Sequence, residues 1–293
     1  MQQSGQRTIF AESDIRGMAP AMKVGILATV DPSGLPHLTL LATLRAESTG
    51  RLTFGQFTEG MSKENVLANP RCGFLVMSLQ RKLWRGTATW THAERGGPAF
   101  DAYNNEPLFR YNSYFGIHTV HFLDLVEHTG EHALPMADIL AAALATGWAR
   151  AVGGRPHGNG VANGCAMAPW TRTVLSAVGN PKFISWVAKD GFPRIVPLLQ
   201  AKAAACDQLF FSPLAYGHEL AAIPPGAGVA VFGMTLKMED VLVRGWYEGT
   251  RRIGGVRCGV VAVDWVYNSM PPVPGQVYPP PEILAVTGFG ARG

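Results

Sequence analysis

Charged residues are scarce. Asp, Glu, Lys and Arg make up 16% of the 293 residues, where a soluble domain usually carries about a quarter. With 47% of residues apolar, the chain can bury a sizeable core, and the shortage of charge points to extensive covered surface. Two domains packed face to face, or an oligomer, fit that balance. Long basic runs are also missing. The net charge of +4 is scattered along the chain, which excludes the footprint of a nucleic-acid binder and leaves room for a small anionic ligand. Cys72, Cys165, Cys206 and Cys258 stand far apart with no C-x-x-C pair. Neither a zinc site nor a disulfide framework is signalled, and reduced, mostly buried thiols are expected. Nothing suits a membrane. The N-terminal "MQQSGQRTIFAESDIRGM" lacks an apolar core, and "MADILAAALATGWARAV" carries Asp138 and Arg150 within a span too short to cross. A cytoplasmic location is expected.

What the chain does contain is itself, twice. Gly34 and Pro36 match Gly191 and Pro193; Leu52 and Phe54 match Leu209 and Phe211; Gly60 matches Gly217; Met77 and Leu79 match Met234 and Leu236. Every pair is 157 apart, as in 191 − 34. The offset grows to 159 where Arg85-Gly86 meets Arg244-Gly245, as two extra residues at a hairpin tip would cause. Turn glycines and strand residues keeping register this long indicate duplication.

Each copy reads alike. A strand enters a turn ("KVGILATV", "DPSG"), and a second strand leads through "STG" to "RLTFGQF". A short helix, "SKENVLAN", stops at Asn69-Pro70, a hairpin follows, and "GIHTVHFLDLVEH" closes the copy. Six strands with hairpin connections predict a small antiparallel barrel. The fold class expected is therefore mainly β, two tandem antiparallel split β-barrels packed as a pseudo-dimer and joined by a helical linker. The expected division is a first barrel over 1–130, a helical and glycine-rich linker over 131–179, and a second, degenerate barrel over 180–293. Within the linker, "GGRPHGNGVANG" lacks both a preceding strand and a G-K-[ST] ending, so it reads as a connection rather than a phosphate loop. The proline-rich "PPVPGQVYPPPEI" reads as an extended arm packing on a barrel.

The run "GILATVDPSGLPHLTLL", followed by "RLTFGQF", "GMSKENVLANPRCGFLV" and "WRGTATW", resembles the FMN-binding split-barrel family typified by pyridoxamine 5′-phosphate oxidase-like proteins. The similarity covers residues 20–127 and, more weakly, 180–268. In that family two barrels pack as a dimer with FMN in the groove between them, so the resemblance implies that one chain here supplies both barrels. A homodimer of such two-barrel chains is a further option.

The resemblance implies FMN as cofactor, with F420 or haem as alternatives. Its phosphate would lie at the start of the "SKENVLAN" helix, where Gly60 permits a tight turn, Ser62 can cap the helix and Lys63 adds a full charge. Gln56 and Thr58 share one face at the end of the preceding strand, and the resemblance makes them flavin or phosphate contacts, with Thr39 on the second strand near the ring. Arg45 and Arg85 are further donors without decisive placement, and Trp84 either borders the flavin or fills an interface. In the second copy Glu219 and Leu220 stand where Ser62 and Lys63 stand in the first. An acid beside the phosphate should repel it, so one competent site per chain is expected.

The leading function is an FMN-dependent oxidoreductase acting on a small organic molecule, with no catalytic residue identified. The alternatives are a haem-binding protein, suggested by His118, His121, His128 and His132, and a non-catalytic flavin-binding or assembly protein. On a strand His118 and His121 face opposite sides, which argues against a shared ligand set.

Overall fold

The structure is a computed structural model, and it describes residues 7–57, 60–107, 116–153, 165–237, 239–268 and 275–278. After helix α1 (Glu12–Met18), the first half builds strands β1 (Lys23–Val30), β2 (Pro36–Leu40), β3 (Arg45–Ser48) and β4 (Arg51–Gln56). Helix α2 (Met61–Ala68) leads into β5 (Arg71–Ser78) and β6 (Lys82–Glu94), then α3 (Pro98–Asn104), β7 (Thr119–His128) and a short β8 (His132–Ala133). Two helices, α4 (Met136–Val152) and α5 (Pro169–Ser176), bridge to the second half. That half contains β9 (Lys182–Val187), β10 (Pro193–Pro197), β11 (Lys202–Ala203), β12 (Gln208–Phe211), α6 (Gly217–Ala221), β13 (Gly228–Met234), β14 (Asp240–Ile253), β15 (Val256–Asn268) and β16 (Gly275–Tyr278).

The two sheets are antiparallel and share one order. The first runs β2-β1-β5-β6-β7-β4-β3 and the second β10-β9-β13-β14-β15-β12-β11. Neither closes into a continuous barrel, since β2 and β3, or β10 and β11, stand at opposite ends of their path. The expected pair of tandem split barrels is what the chain forms. The duplication reaches the backbone torsions. Gly34 and Gly191 end the same turn at φ +80° and +81°, a left-handed conformation that glycine adopts without a side-chain clash. Their amides donate to Asp31 and Ala188 carbonyls at the same 2.9 Å.

Each half has its own core, and a third core joins them. Phe54, Phe74, Val76 and Trp84 pack inside the first half; Trp186, Phe211, Val231 and Val261 pack inside the second. Between them Ile26, Ala28, Leu38 and Leu75 meet Phe183, Ile195, Ala230 and Phe232. β2 lies against β9 and β13, and β10 lies against β1, β5 and β6, so the halves clasp reciprocally. This apolar seam accounts for the low charge content.

Two expectations need correction or limits. Cys165 and Cys206, 41 residues apart, form a disulfide, while Cys72 and Cys258 are free and buried. Tertiary packing brings the pair together, and sequence spacing carries no trace of it. No helix among the described residues is long and apolar enough to cross a membrane. Most of the glycine-rich connection lies outside the described residues, as does the C-terminal arm apart from β16, which pairs with β15.

Burial of three lysines predicts an unusual pH dependence of stability. Lys182, fully buried, donates to the Ala177 carbonyl at 2.6 Å beside the end of α5, and burial lowers its pKa to about 7. Lys23 and Lys63 are lowered to about 8, again chiefly by burial. The unfolded chain therefore binds more protons than the folded one between these values and the ordinary 10.5, so stability rises with pH across that window. Cys72 and Tyr103 are pushed up to about 12 by burial. The unfolded chain releases those protons first, and stability falls again at higher pH. The urea midpoint should rise from pH 7 past about pH 9 and turn over only at higher pH, where the thiol and phenol losses overtake the lysine gain; a midpoint that falls steadily from pH 7 upward would contradict this.

Candidate functional site

The site forms where β4 hands over to α2 at the seam. Gly60 occupies the helix N-cap position with extended backbone, and the helix begins at Met61. Ser62 is therefore not the cap that the sequence suggested: it lies inside the first turn, 2% exposed, and its hydroxyl has no hydrogen-bond partner. A buried hydroxyl left unpaired costs about 1–3 kcal/mol. Lys63 follows, and a β-carbon added at Gly60 would lie 4.0 Å from its Nζ. Burial alone lowers its pKa to about 8, with no carboxylate among the described residues pulling it back. Asn65, on the next turn, donates to Thr29 Oγ1 at 3.0 Å and pins α2 to β1.

Two histidines flank the lysine, and its charge depresses both. His121 on β7 accepts from Trp90 Nε1 at 3.2 Å. Because an indole N–H can only donate, the imidazole proton sits on Nε2, which donates to Gln56 Oε1 at 2.7 Å. Phe54 stacks on the other side of that ring at 4.6 Å. Burial, then Lys63, lowers the His121 pKa to about 4, so the ring is neutral and holds Gln56 in one orientation. His37 on β2 is 2% exposed, and its Nδ1 has no partner. Burial first and the Arg244 charge second lower its pKa to about 3.

The second half closes the site. Trp265 and Tyr267 of β15 stack on each other at 5.5 Å and present their rings edge-on to His37, at 6.4 and 5.3 Å. Arg244 of β14 lies 3.8 Å over the Trp265 ring and forms a buried ion pair with Asp31 at the β1–β2 turn. Lys63 acts on His121, whose ring holds Gln56, and Ser62 precedes Lys63 in the first turn of the same helix. Thr39 shares the His37 face of β2, two residues on, and Thr58 lies outside the described residues. Read from sequence, His37 is one of several single strand histidines expected to be structural, and Trp265 and Arg244 give no local signal, since nothing local links residue 37 to residue 265. The match of Arg85 to Arg244 in the repeat was the one usable signal.

The other candidates go elsewhere. Trp84 is fully buried in the first core and donates to Asp14 at 3.0 Å. Arg45 pairs with Glu106 at 3.2 Å and lies over Tyr103. Arg85 crosses the seam to Glu219 at 2.9 Å, so the acid of the second copy is neutralised by a base that its own segment does not contain. His118 bonds Thr119, His128 bonds Gly130 and the Ile9 carbonyl, and His132 bonds Thr129 and Gly130; none of them bonds His121 or its partners Trp90 and Gln56. No group of three metal-binding side chains occurs among the described residues.

A phosphomonoester would fit this donor set: the Ser62 hydroxyl and the His37 Nδ1, buried without a hydrogen-bond partner, and a Lys63 ammonium on which no carboxylate acts among the described residues. No protein-family model matches the chain, and no curated protein matches it. Similar solved structures include a putative pyridoxamine 5′-phosphate oxidase from Lactobacillus delbrueckii, 16% identical, covering 42% of this chain and 94% of its own, with a TM-score of 0.33. An FMN-binding protein from Syntrophomonas wolfei is 15% identical over 40% of this chain and 81% of its own, TM-score 0.33. An F420 reductase is 16% identical over 41% of this chain and 98% of its own, TM-score 0.33.

Proposed function

We propose that the chain is a flavoprotein holding one FMN between its two halves, with the phosphate on Ser62 and Lys63. The observation that carries this reading is the buried, unpartnered Ser62 hydroxyl beside a Lys63 ammonium that lacks a counter-charge among the described residues. Gln56, oriented by His121, would donate its amide N–H groups toward the bound group, and Thr39 and Thr58 would complete the polar lining. Trp265 and Tyr267 would exclude water from the second half. When bound, the flavin supplies hydride or electron transfer to a small organic substrate. Domains over 1–130, 131–179 and 180–293 go with this reading: one barrel binds phosphate, the other forms the wall. A cytoplasmic location is compatible only if the Cys165–Cys206 pair is reduced there, which thiol labelling of freshly lysed cells would reveal.

The absorbance spectrum of purified protein tests the reading. FMN gives two visible flavin bands, whether carried through purification or added afterwards. A stoichiometric Soret band without flavin uptake would overturn it in favour of haem, and a deazaflavin spectrum would replace FMN by F420. The lysine also predicts a pH dependence. Phosphate binding favours protonated Lys63, so FMN affinity should fall as pH rises through about 8, the pKa of the free site. Riboflavin, lacking the phosphate, should show no such loss.

A further inference from the structure

The reciprocal packing of the halves creates a second interface related to the first by exchanging the copies. A cavity of about 810 Å³ lies there, between β6 and the end of β7 on one side and β9, β10 and α6 on the other. That volume is within the range of small-molecule sites, about 300–1,000 Å³. Its lining differs from that of the first site position by position. Glu219 replaces Ser62, Arg194 replaces His37, Trp186 replaces Thr29 and Ala222 replaces Asn65, each 157 residues on. The Thr29–Asn65 hydrogen bond therefore gives way to an indole and a methyl group.

The cavity's half-buried charges are paired across the seam. Arg85 Nη2 donates to Glu219 at 2.9 Å and Nη1 to the Ile195 carbonyl at 3.3 Å; Arg194 pairs with Glu127 at 3.0 Å. Lys189 is an exposed cation at the margin. Between the ion pairs the walls are apolar, with Trp186, Ile195 and Val196 all buried. One donor is left over: Arg85 Nε is buried without a hydrogen-bond partner. A phosphate entering here would have to displace Glu219 from Arg85 and then sit beside the freed carboxylate. A neutral molecule meets no such cost.

We infer that the second interface is a ligand site of changed chemistry, taking an uncharged organic molecule with an apolar body and a hydrogen-bond acceptor. The first interface takes the anionic ligand and the second rejects it, so duplication has yielded two different sites in one chain. The chemistry of the second site goes beyond the flavin reading; only its contrast with the first interface rests on that reading.

The test uses the full chain at pH 7 with two probes of the same ring, 2-naphthol and 2-naphthyl phosphate, followed by fluorescence titration. Saturable binding of about one 2-naphthol per chain is expected, weakened at least about tenfold by Ala222→Trp, which fills the cavity, and unchanged by Lys63→Ala. The phosphate ester should not displace 2-naphthol from the unmodified chain. It should do so in Glu219→Gln, where Arg85 is freed while the shape is kept. The absence of saturable 2-naphthol binding would overturn the inference. So would loss of binding in Lys63→Ala with retention in Ala222→Trp, equal competition by the phosphate ester in the unmodified chain, or no gain of phosphate binding in Glu219→Gln.

Discussion

Replacing Lys63 by alanine should weaken FMN binding about ten- to a hundredfold and leave riboflavin binding within about a factor of two. The difference follows from chemistry confined to one end of the ligand. A charge-assisted hydrogen bond is worth roughly 1.5–3 kcal/mol, which corresponds to that loss in affinity, and only the phosphate can receive it. The substitution should also be mild for the fold, because burial depresses the Lys63 pKa to about 8 without a compensating carboxylate among the described residues. Ser62→Ala should act in the same direction with a smaller effect, since its hydroxyl makes no bond in the free protein that folding would lose. Parallel calorimetric titrations with the two flavins decide the matter. Equal losses for both ligands would show that Lys63 supports the ring or the fold rather than the phosphate.

The largest expected effect on stability lies at the seam. Asp31→Ala leaves Arg244 buried against the Trp265 ring without its carboxylate, and breaking one side of a buried ion pair costs about 3–5 kcal/mol. Asp31 also accepts from the Ser33 and Leu35 amides at 2.9 and 3.0 Å, so the β1–β2 turn loses its own bracing as well. The double variant Asp31→Ala/Arg244→Met should recover a large part of the loss, because it removes the stranded charge. Urea unfolding of the three proteins measures this. A single variant within about 1 kcal/mol of the parent would mean that water reaches Arg244 and the pair is not buried in solution.

Much of this architecture was legible in the sequence because it is local or repeated. Turn residues such as Gly34 and Gly191 declare themselves by type, and the constant offset of 157 made two barrels out of one pattern. The proposed phosphate end rests on local spacing too: Gly60, Ser62 and Lys63 are near neighbours in the chain, and a helix start presents such neighbours together. What was hidden is what the seam assembles. His37 meets Trp265 and Arg85 meets Glu219 only because β2 and β10 cross to the opposite half, and no local spacing encodes that crossing. The acid at Glu219 was visible, but its neutralisation by Arg85 was not. The cap assigned to Ser62 was wrong by a small margin of geometry, since the helix starts at Met61 and carries the serine into its first turn. The Cys165–Cys206 disulfide escaped because 41 residues separate partners that meet only after the second sheet has formed.

The central claim is that two related interfaces in one chain differ in their affinity for a phosphate-bearing flavin. Isothermal titration of the unmodified chain with FMN tests it most directly, by stoichiometry. Saturation at about one FMN per chain, abolished or much weakened by Lys63→Ala and untouched by Ala222→Trp, is the predicted result. Two equivalent high-affinity flavins per chain, or one flavin lost on Ala222→Trp and kept in Lys63→Ala, would contradict it.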